Sequence, residues 1–266
     1  MTPFKFHRAA SVADAAQGFK SGAEGRYLAG GQTLIPVMKQ RLASPSDLVS
    51  LAGIAGLAGI KAGQTSISIG AMTRHADVAN SPEIQRLVPA LAELAGGIGD
   101  PHVRNRGTIG GSVANNDPAA DYPAAGLGLG ATTKTDRRTI AADDFFQGLF
   151  TTALAEGEII TGFEFPVPER AGYVKFPHPA SRFCLVGVMV SKGSQGVRVA
   201  VTGAGQEGVF RVAAMEQALG RSFTADTIAA VKVPAGNLLS DIHAGPEYRA
   251  HLIGVLARRA LAKAVG

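Results

Sequence analysis

The chain has a single cysteine, Cys184, and no tryptophan among its 266 residues. One thiol excludes an intrachain disulfide and any zinc or iron–sulfur site built from several cysteines. Aromatic residues make up 6%, and the 26 basic and 21 acidic residues leave a net charge of +5. The basic residues are scattered, apart from Arg258, Arg259 and Lys263. The dense basic stripe with interleaved aromatics that marks a nucleic-acid binder is missing, so no nucleic-acid partner is expected. No apolar run reaches the length of a membrane span. Leu51 to Ile60, the longest weak stretch, is broken by Gly53, Gly56 and Gly59. Met1 to Ala10 has no apolar h-region, so no signal peptide is expected and a cytoplasmic protein is. The G-x-S-x-G serine signature is absent. His75, His102 and His178 each lack a second ligand at metal spacing, which points to surface or supporting roles and to no metal site. Asp143-Asp144 reads as a solvated helix N-terminus.

What the chain does have is glycine, 34 residues of it, in a composition that is 46% hydrophobic and able to form a core. Two glycine pairs stand out: Ala29-Gly30-Gly31-Gln32-Thr33-Leu34 and Thr108-Ile109-Gly110-Gly111-Ser112, the latter followed by Asn115 and Asn116. Either pair alone is compatible with an ordinary turn. Each is surrounded, however, by hydroxyl and amide side chains that a plain turn does not need. Loops of this kind let backbone N–H groups approach an anion, because no Cβ blocks the way. Two of them can clasp a long diphosphate ligand from both sides.

Local patterns place these loops. Ser11, with Asp14 three residues on, predicts a capped helix start. Arg26–Ala29 reads as a strand running into the first pair, Thr33–Arg41 as a helix with Pro36 in its first turn, and Leu48–Leu51 as a strand. Ser66–Ile69 alternates with period two, as a half-buried strand does. Thr73 is expected to cap a helix through Ala79, and Pro82 to start another. Leu87–Ala95 reads as helix, and Pro118 is expected to open a small-residue helix from Ala119 to Leu127. Strands are predicted at Ala131–Lys134, Glu158–Phe165, Leu185–Val190 and Val197–Thr202. Pro166–Gly172 reads as a linker. A terminal helix is expected to start at Gly245-Pro246-Glu247, with Tyr248, Leu252, Val255, Leu256 and Leu261 roughly on one face. The expected fold class is α+β, with a larger domain over 1–176 and a smaller one over 177–266.

Gly203-Ala204-Gly205-Gln206-Glu207-Gly208 matches G-x-G-x-x-G after a predicted strand. The helix after it is short for a βαβ crossover, and Asp226 falls in a helix cap rather than at a strand end. Turn glycines between two strands are the expected use.

The stretch Ile98-Gly99-Asp100-Pro101, Val103–Ser112 and Asp117–Ala124 closely resembles the FAD-binding medium subunits of molybdenum hydroxylases. That family includes the medium subunit of aerobic carbon monoxide dehydrogenase and the flavin domain of xanthine dehydrogenase. Ala29–Pro36 with Lys39, Ile69–Thr73, Asp144–Phe146, Pro246–Arg249 and Arg258–Leu261 are similar to further motifs of the family. The resemblance covers the whole chain, in order. It implies an N-terminal FAD domain of the vanillyl-alcohol-oxidase-like (PCMH) type, then a smaller C-terminal α+β domain with an antiparallel sheet and helices. It also implies a flavin site. Ala29, Gly30, Gly31, Gln32, Thr33 and Leu34 on one loop, with Thr108, Gly110, Gly111, Ser112 and Asn115 on the other, would hold the FAD pyrophosphate through N–H groups and hydroxyls. Ser112 stands where several relatives carry asparagine. Asp121 matches an acid on the adenosine side, Ile160 a backbone contact, Lys175 a basic residue near the flavin, and Phe183 an aromatic beside the isoalloxazine.

By the same resemblance, the chain is an FAD-carrying electron-transfer subunit of a heteromeric oxidoreductase. The expected partners are a large molybdopterin subunit and a small 2Fe-2S subunit, assembled as a dimer of heterotrimers. Molybdopterin and the clusters lie on those partners, and no catalytic side chain is assigned to this chain. A free-standing FAD-dependent oxidoreductase and a flavin-free scaffold module are the alternatives.

Overall fold

The computed structural model describes residues 1–266. β1 (Lys5–Arg8) leads into α1 (Val12–Ser21). The Ser11 hydroxyl accepts from the Asp14 N–H at 3.1 Å, and the Asp14 carboxylate accepts from the Ala10 N–H at 2.8 Å. This reciprocal cap closes the first turn of the helix, as the sequence predicts. β2 (Gly25–Leu28), α2 (Leu34–Lys39) and β3 (Asp47–Ser50) follow. The three strands are parallel in the order β1-β3-β2. The first glycine pair therefore lies at a strand-to-helix turn. The core of this unit is small, a cluster of 7 buried residues that includes Val49 and Ile159.

β4 (Ile60–Ala62) and β5 (Ser66–Gly70) open a second sheet, with Ile67 and Ile69 of β5 buried. A run of helices follows: α3 (His75–Asn80), α4 (Pro82–Leu87), α5 (Pro89–Gly96), α6 (Pro101–Arg104), α7 (Ile109–Asn115) and α8 (Tyr122–Leu129). The chain returns through β6 (Thr132–Thr135), β7 (Thr139–Ala141), α9 (Ala142–Phe145), the hairpin β8 (Phe146–Gly148) with β9 (Thr151–Thr152), and β10 (Ile160–Pro166). The sheet order is β4-β5-β10-β6-β7, antiparallel throughout. Two local expectations fail here. Thr73 caps no helix, because its hydroxyl bonds the N–H and the carbonyl of Gly59 instead. Pro118 opens no helix, because Asp117 turns the chain by accepting from Ala119 N–H, and α8 starts only at Tyr122.

β11 (Arg170–Pro177), β12 (Cys184–Gly193), β13 (Gly196–Thr202) and β14 (Phe210–Arg211) form an antiparallel sheet in that order, covered by α10 (Ala213–Arg221) and α11 (Pro246–Val265). The break between the sheets falls at 167–169, and the expected boundary at 176 lies inside β11. Residues 170–177 pair with β12 along their length, so backbone pairing overrides the proline-rich look of the approach. Gly203 and Gly208 adopt φ of 82° and 90° in the turn between antiparallel β13 and β14. The G-x-G-x-x-G string is thus a hairpin connection and not a dinucleotide loop. On α11 the buried face carries Leu252, Ile253, Leu256, Ala257, Ala260 and Leu261, whereas Tyr248 is 46% exposed and Val255 half-buried. That face is rotated from the expected one because Arg249 points inward. Its guanidinium donates to the carbonyls of Leu185 and Gly203, at 2.7 Å each, and to Asp241.

The two sheet units share a seam. Arg198 of β13 donates to the Leu127 carbonyl at the end of α8 and pairs with Asp143, which also meets Arg211. Asp143 and Asp144 lie exposed in the first turn of α9, as expected, and Asp143 serves in addition as an inter-unit ion-pair acceptor. The bonds from Arg198, ahead of those from Arg211, hold its carboxyl below the usual range. The largest core cluster, of 28 buried residues, crosses the seam by including Tyr173, Met189 and Ala200.

Candidate functional site: two glycine loops in contact

The two glycine loops meet. A Cβ on Gly30 would collide with the carbonyl of Arg106, and one on Gly111 would stand 3.5 Å from the Ala29 Cβ. At Gly30 only bare backbone permits that approach, whereas the Gly111 distance is ordinary contact. Gly31 sits at φ 72°, in the left-handed region that glycine enters without strain.

On the first loop the N–H groups of Gly30, Gly31, Gln32, Thr33 and Leu34 have no acceptor within the chain. Successive unpaired N–H groups around a left-handed glycine form a concavity suited to an anion. Thr33 caps nothing, so its hydroxyl is also free, and Gln32 is tied only weakly to the Gly30 carbonyl at 3.4 Å. Gln32 and Thr33 are exposed, with Ala29, Gly30, Gly31 and Leu34 half-buried. This is a cradle that fits a diphosphate.

The second loop is built differently, and one expectation needs correcting. The N–H groups of Ile109, Gly110 and Ser112 bond the carbonyls of Thr73, Ala71 and Thr108, at 3.0, 2.8 and 3.0 Å. Gly111 N–H bonds the Thr108 hydroxyl, which caps α7, at 3.1 Å. These N–H groups are therefore not available to a ligand. What the loop keeps free is the Thr108 N–H and the Ser112 hydroxyl. Its role is that of a wall, clamped to the segment 71–75, whose His75 N–H also donates to the Gly107 carbonyl at 3.0 Å. Asn115 is half-buried, and the structural amide is its neighbour Asn116, which donates to the carbonyls of Gly148 and Thr151 from a left-handed position at φ 44°.

The remaining expected residues lie at several distinct places. Ile160 is buried on β10 at a bulge opposite Thr135. Phe183 is 58% exposed on the turn between β11 and β12, and the base of that turn is tied to Ala119 through Cys184 N–H. Asp121 and Lys175 do come together. Lys175 Nζ donates to Asp121 Oδ2 at 3.0 Å, and the Tyr173 hydroxyl donates to Oδ1 at 2.5 Å. Burial pushes the Asp121 carboxyl up, while Lys175 and Tyr173 pull it back.

His75 is the residue whose role the sequence hid. It is 4% exposed and not at the surface, and a Cβ on Gly107 would stand 2.5 Å from its Nε2. The imidazole is thus wedged beneath the second loop. Its Nδ1 has no partner, nor has the hydroxyl of Tyr122, whose ring lies 5.3 Å away centre to centre. Burial, with help from the Arg104 charge, lowers its pKa to about 4, so the ring is neutral at physiological pH. The available clue was its position two residues after Ile69–Thr73, a motif with no stated role that now reads as the clamp.

Residues 2–168 match the family described as the FAD binding domain in molybdopterin dehydrogenase. The chain is 35% identical to the nicotine 6-hydroxylase medium subunit of Paenarthrobacter nicotinovorans, over 96% of this chain and 95% of that one. It is 33% identical to the carbon monoxide dehydrogenase medium chain of Hydrogenophaga pseudoflava, over 97% and 96%. Among solved structures, carbon monoxide dehydrogenase from Hydrogenophaga pseudoflava superposes with a TM-score of 0.88 at 34% identity, covering 100% of this chain and 98% of that one. Quinoline 2-oxidoreductase from Pseudomonas putida 86 superposes with a TM-score of 0.89 at 29% identity, covering 99% and 98%.

Proposed function

The chain belongs to the FAD-binding medium-subunit family of the molybdenum hydroxylases, and from that premise we propose how its two glycine loops divide the work of holding the cofactor. It is the FAD-carrying, electron-transferring subunit of a heteromeric oxidoreductase. The unpaired N–H groups of Gly30 to Leu34 receive the pyrophosphate. Thr108 N–H and the Ser112 hydroxyl would hold it from the clamped wall, and the absence of a Cβ at Gly30 lets the two loops come together there. Asp121 and Ile160 serve the adenosine side and a backbone contact, and Lys175 with Phe183 the flavin side. FAD, when bound, supplies the capacity to take electrons one at a time and release two; the chain's residues bind it, orient it and set its electrostatic surroundings.

The partners are a large molybdopterin subunit and a small 2Fe-2S subunit, in a dimer of heterotrimers in the cytoplasm. The lone cysteine supports this division, since Cys184 is buried and cannot alone ligate a cluster. The feature that carries the site assignment is the row of unpaired N–H groups abutting the second loop. Flavin content of the purified complex tests it. Gly30→Val drives a branched side chain into the Arg106 carbonyl and is expected to yield an assembled complex with FAD lost. Retention of stoichiometric FAD by that variant would sink the assignment.

A further inference from the structure

The Asp121–Lys175 pair has a third member that no expectation included. The Tyr173 hydroxyl donates to Asp121 Oδ1 at 2.5 Å, and Cys184 Sγ lies 3.9 Å from the Tyr173 hydroxyl oxygen. Tyr173 and Asp121 are 4% and 5% exposed, so water does not compete for these bonds. The backbone makes room for the phenol. Gly187 lies opposite Lys175 in the β11–β12 register, and a Cβ there would stand 2.5 Å from the Tyr173 hydroxyl and 2.7 Å from Cys184 Sγ. Lys175 itself runs past Gly97, its Cε lying 3.7 Å from where a Cβ would be. Gly97 caps the C-terminal end of α5, where the helix dipole favours a cation. Of the Lys175 N–H donors, only one meets a partner in the chain, Asp121.

We propose that Tyr173 is a positioning residue for flavin electron transfer: by sharing the Asp121 carboxylate, it sets how much positive charge Lys175 presents to the flavin. This rests on the reading above that Lys175 lies on the flavin side. The carboxylate divides its hydrogen-bonding capacity between a phenol and an ammonium. A stronger phenol bond makes it a weaker base and a weaker screen of Lys175. A lost phenol bond does the reverse, so the ammonium charge is more fully cancelled. Positive charge beside a flavin favours its reduced, more negative form, so the midpoint potential follows the phenol bond. Burial and the neighbouring Asp121 charge hold the phenol well above its ordinary pKa, so it remains the donor.

The test is the flavin midpoint potential of the full complex carrying Lys175→Gln, Tyr173→Phe, Cys184→Ala, or 3,5-difluorotyrosine placed at 173. Lys175→Gln is expected to lower the potential. Tyr173→Phe is expected to lower it by less. The difluorinated residue keeps the shape of tyrosine but donates more strongly, and is expected to raise it, which a packing role alone does not predict. Cys184→Ala is expected to leave it unchanged. If Lys175→Gln lowers the potential while both changes at 173 leave it at the wild-type value, Tyr173 only packs and the proposal is overturned with the flavin-side reading intact. If Lys175→Gln itself has no effect, that reading fails and the proposal with it. Should Tyr173→Phe not fold, the difluorinated protein decides alone.

Discussion

The two glycine loops touch, yet they are held in opposite ways. The first leaves the N–H groups of Gly30 to Leu34 without acceptors and exposes Gln32 and Thr33. The second has Gly107, Thr108, Ile109 and Gly110 buried and ties Ile109, Gly110, Gly111 and Ser112 to the clamp and to its own cap. Similar sequences thus make a receptor and a wall. The difference comes from what stands behind each loop. A three-stranded parallel sheet with a 7-residue core lies behind the first, and the clamp 71–75 and a 28-residue core lie behind the second. The wall is organised before the cofactor arrives, and the receptor is completed by it. On this view, changes in the wall act on fold and flavin together, and changes at the receptor's free side chains act on flavin alone.

The clamp is the sharpest place to break the contrast. A Cβ at Gly110 would stand 2.6 Å from the Ala71 carbonyl oxygen, backbone that cannot step aside. Gly110→Ala is expected to cost about 3 kcal/mol, the upper range for overpacking. It should lower the denaturation midpoint of the flavin-free chain and remove FAD as well. An unchanged midpoint would mean that the wall is not preorganised.

Acid should attack the same wall next. His75 is displaced downward from 6.5 to about 4, first by burial and then by Arg104. A group whose folded pKa is depressed adds stability that is whole above the unfolded pKa and declines as pH falls toward the folded one. The window therefore runs from about pH 6.5 to about 4. At ~1.4 kcal/mol per tenfold change in proton affinity, the full loss is on the order of 3–4 kcal/mol. Chemical denaturation across this window, compared between wild type and His75→Leu, isolates the contribution. Equal slopes in the two proteins would remove His75 from the account. Glu158, whose carboxyl the Arg138 bond holds at about 2, loses its contribution only below pH 4.5 and is separable.

A smaller effect is expected from Thr108→Ala, which removes the α7 cap bond to Gly111 and frees that N–H. About 1 kcal/mol of stability should be lost, readable as a modest fall in midpoint. The smallest effect on the fold is expected from Thr33→Ala, which has no capping bond to lose. The flavin-free chain should stay within about 0.5 kcal/mol of wild type, while FAD binds several-fold more weakly by titration. A large destabilisation at Thr33 would show that the first loop also holds the fold together.

Much of this contrast was legible as motif and little of it as role. The strand-to-helix turn at Gly30-Gly31 follows from short-range patterning, and so does the capped start at Ser11. The rejection of the string at Gly203 needed only the length of the helix after it and the place of Asp226 in a helix cap. The expectation that Thr108 to Ser112 offer their N–H groups failed because the acceptors, the carbonyls of Ala71 and Thr73, come from a segment more than thirty residues away. The boundary at 176 was misplaced because pairing with β12, not local composition, decides where β11 begins. Apolar periodicity groups Tyr248 with Leu252 and Leu256, but Arg249 turns inward to two carbonyls and Tyr248 is left 46% exposed.

By itself the sequence determined the glycine positions, the cap at Ser11, the alternation of β5, the family, and the lack of thiols for a cluster, since each depends on residue type or on neighbours within a few positions. Only the tertiary structure decided which loop keeps its N–H groups free, that His75 is buried and neutral, and that Tyr173 and Lys175 share the Asp121 carboxylate. These depend on hydrogen bonds between segments distant in the chain. Burial sets the strength of such bonds, and burial belongs to the packed molecule rather than to any stretch of it.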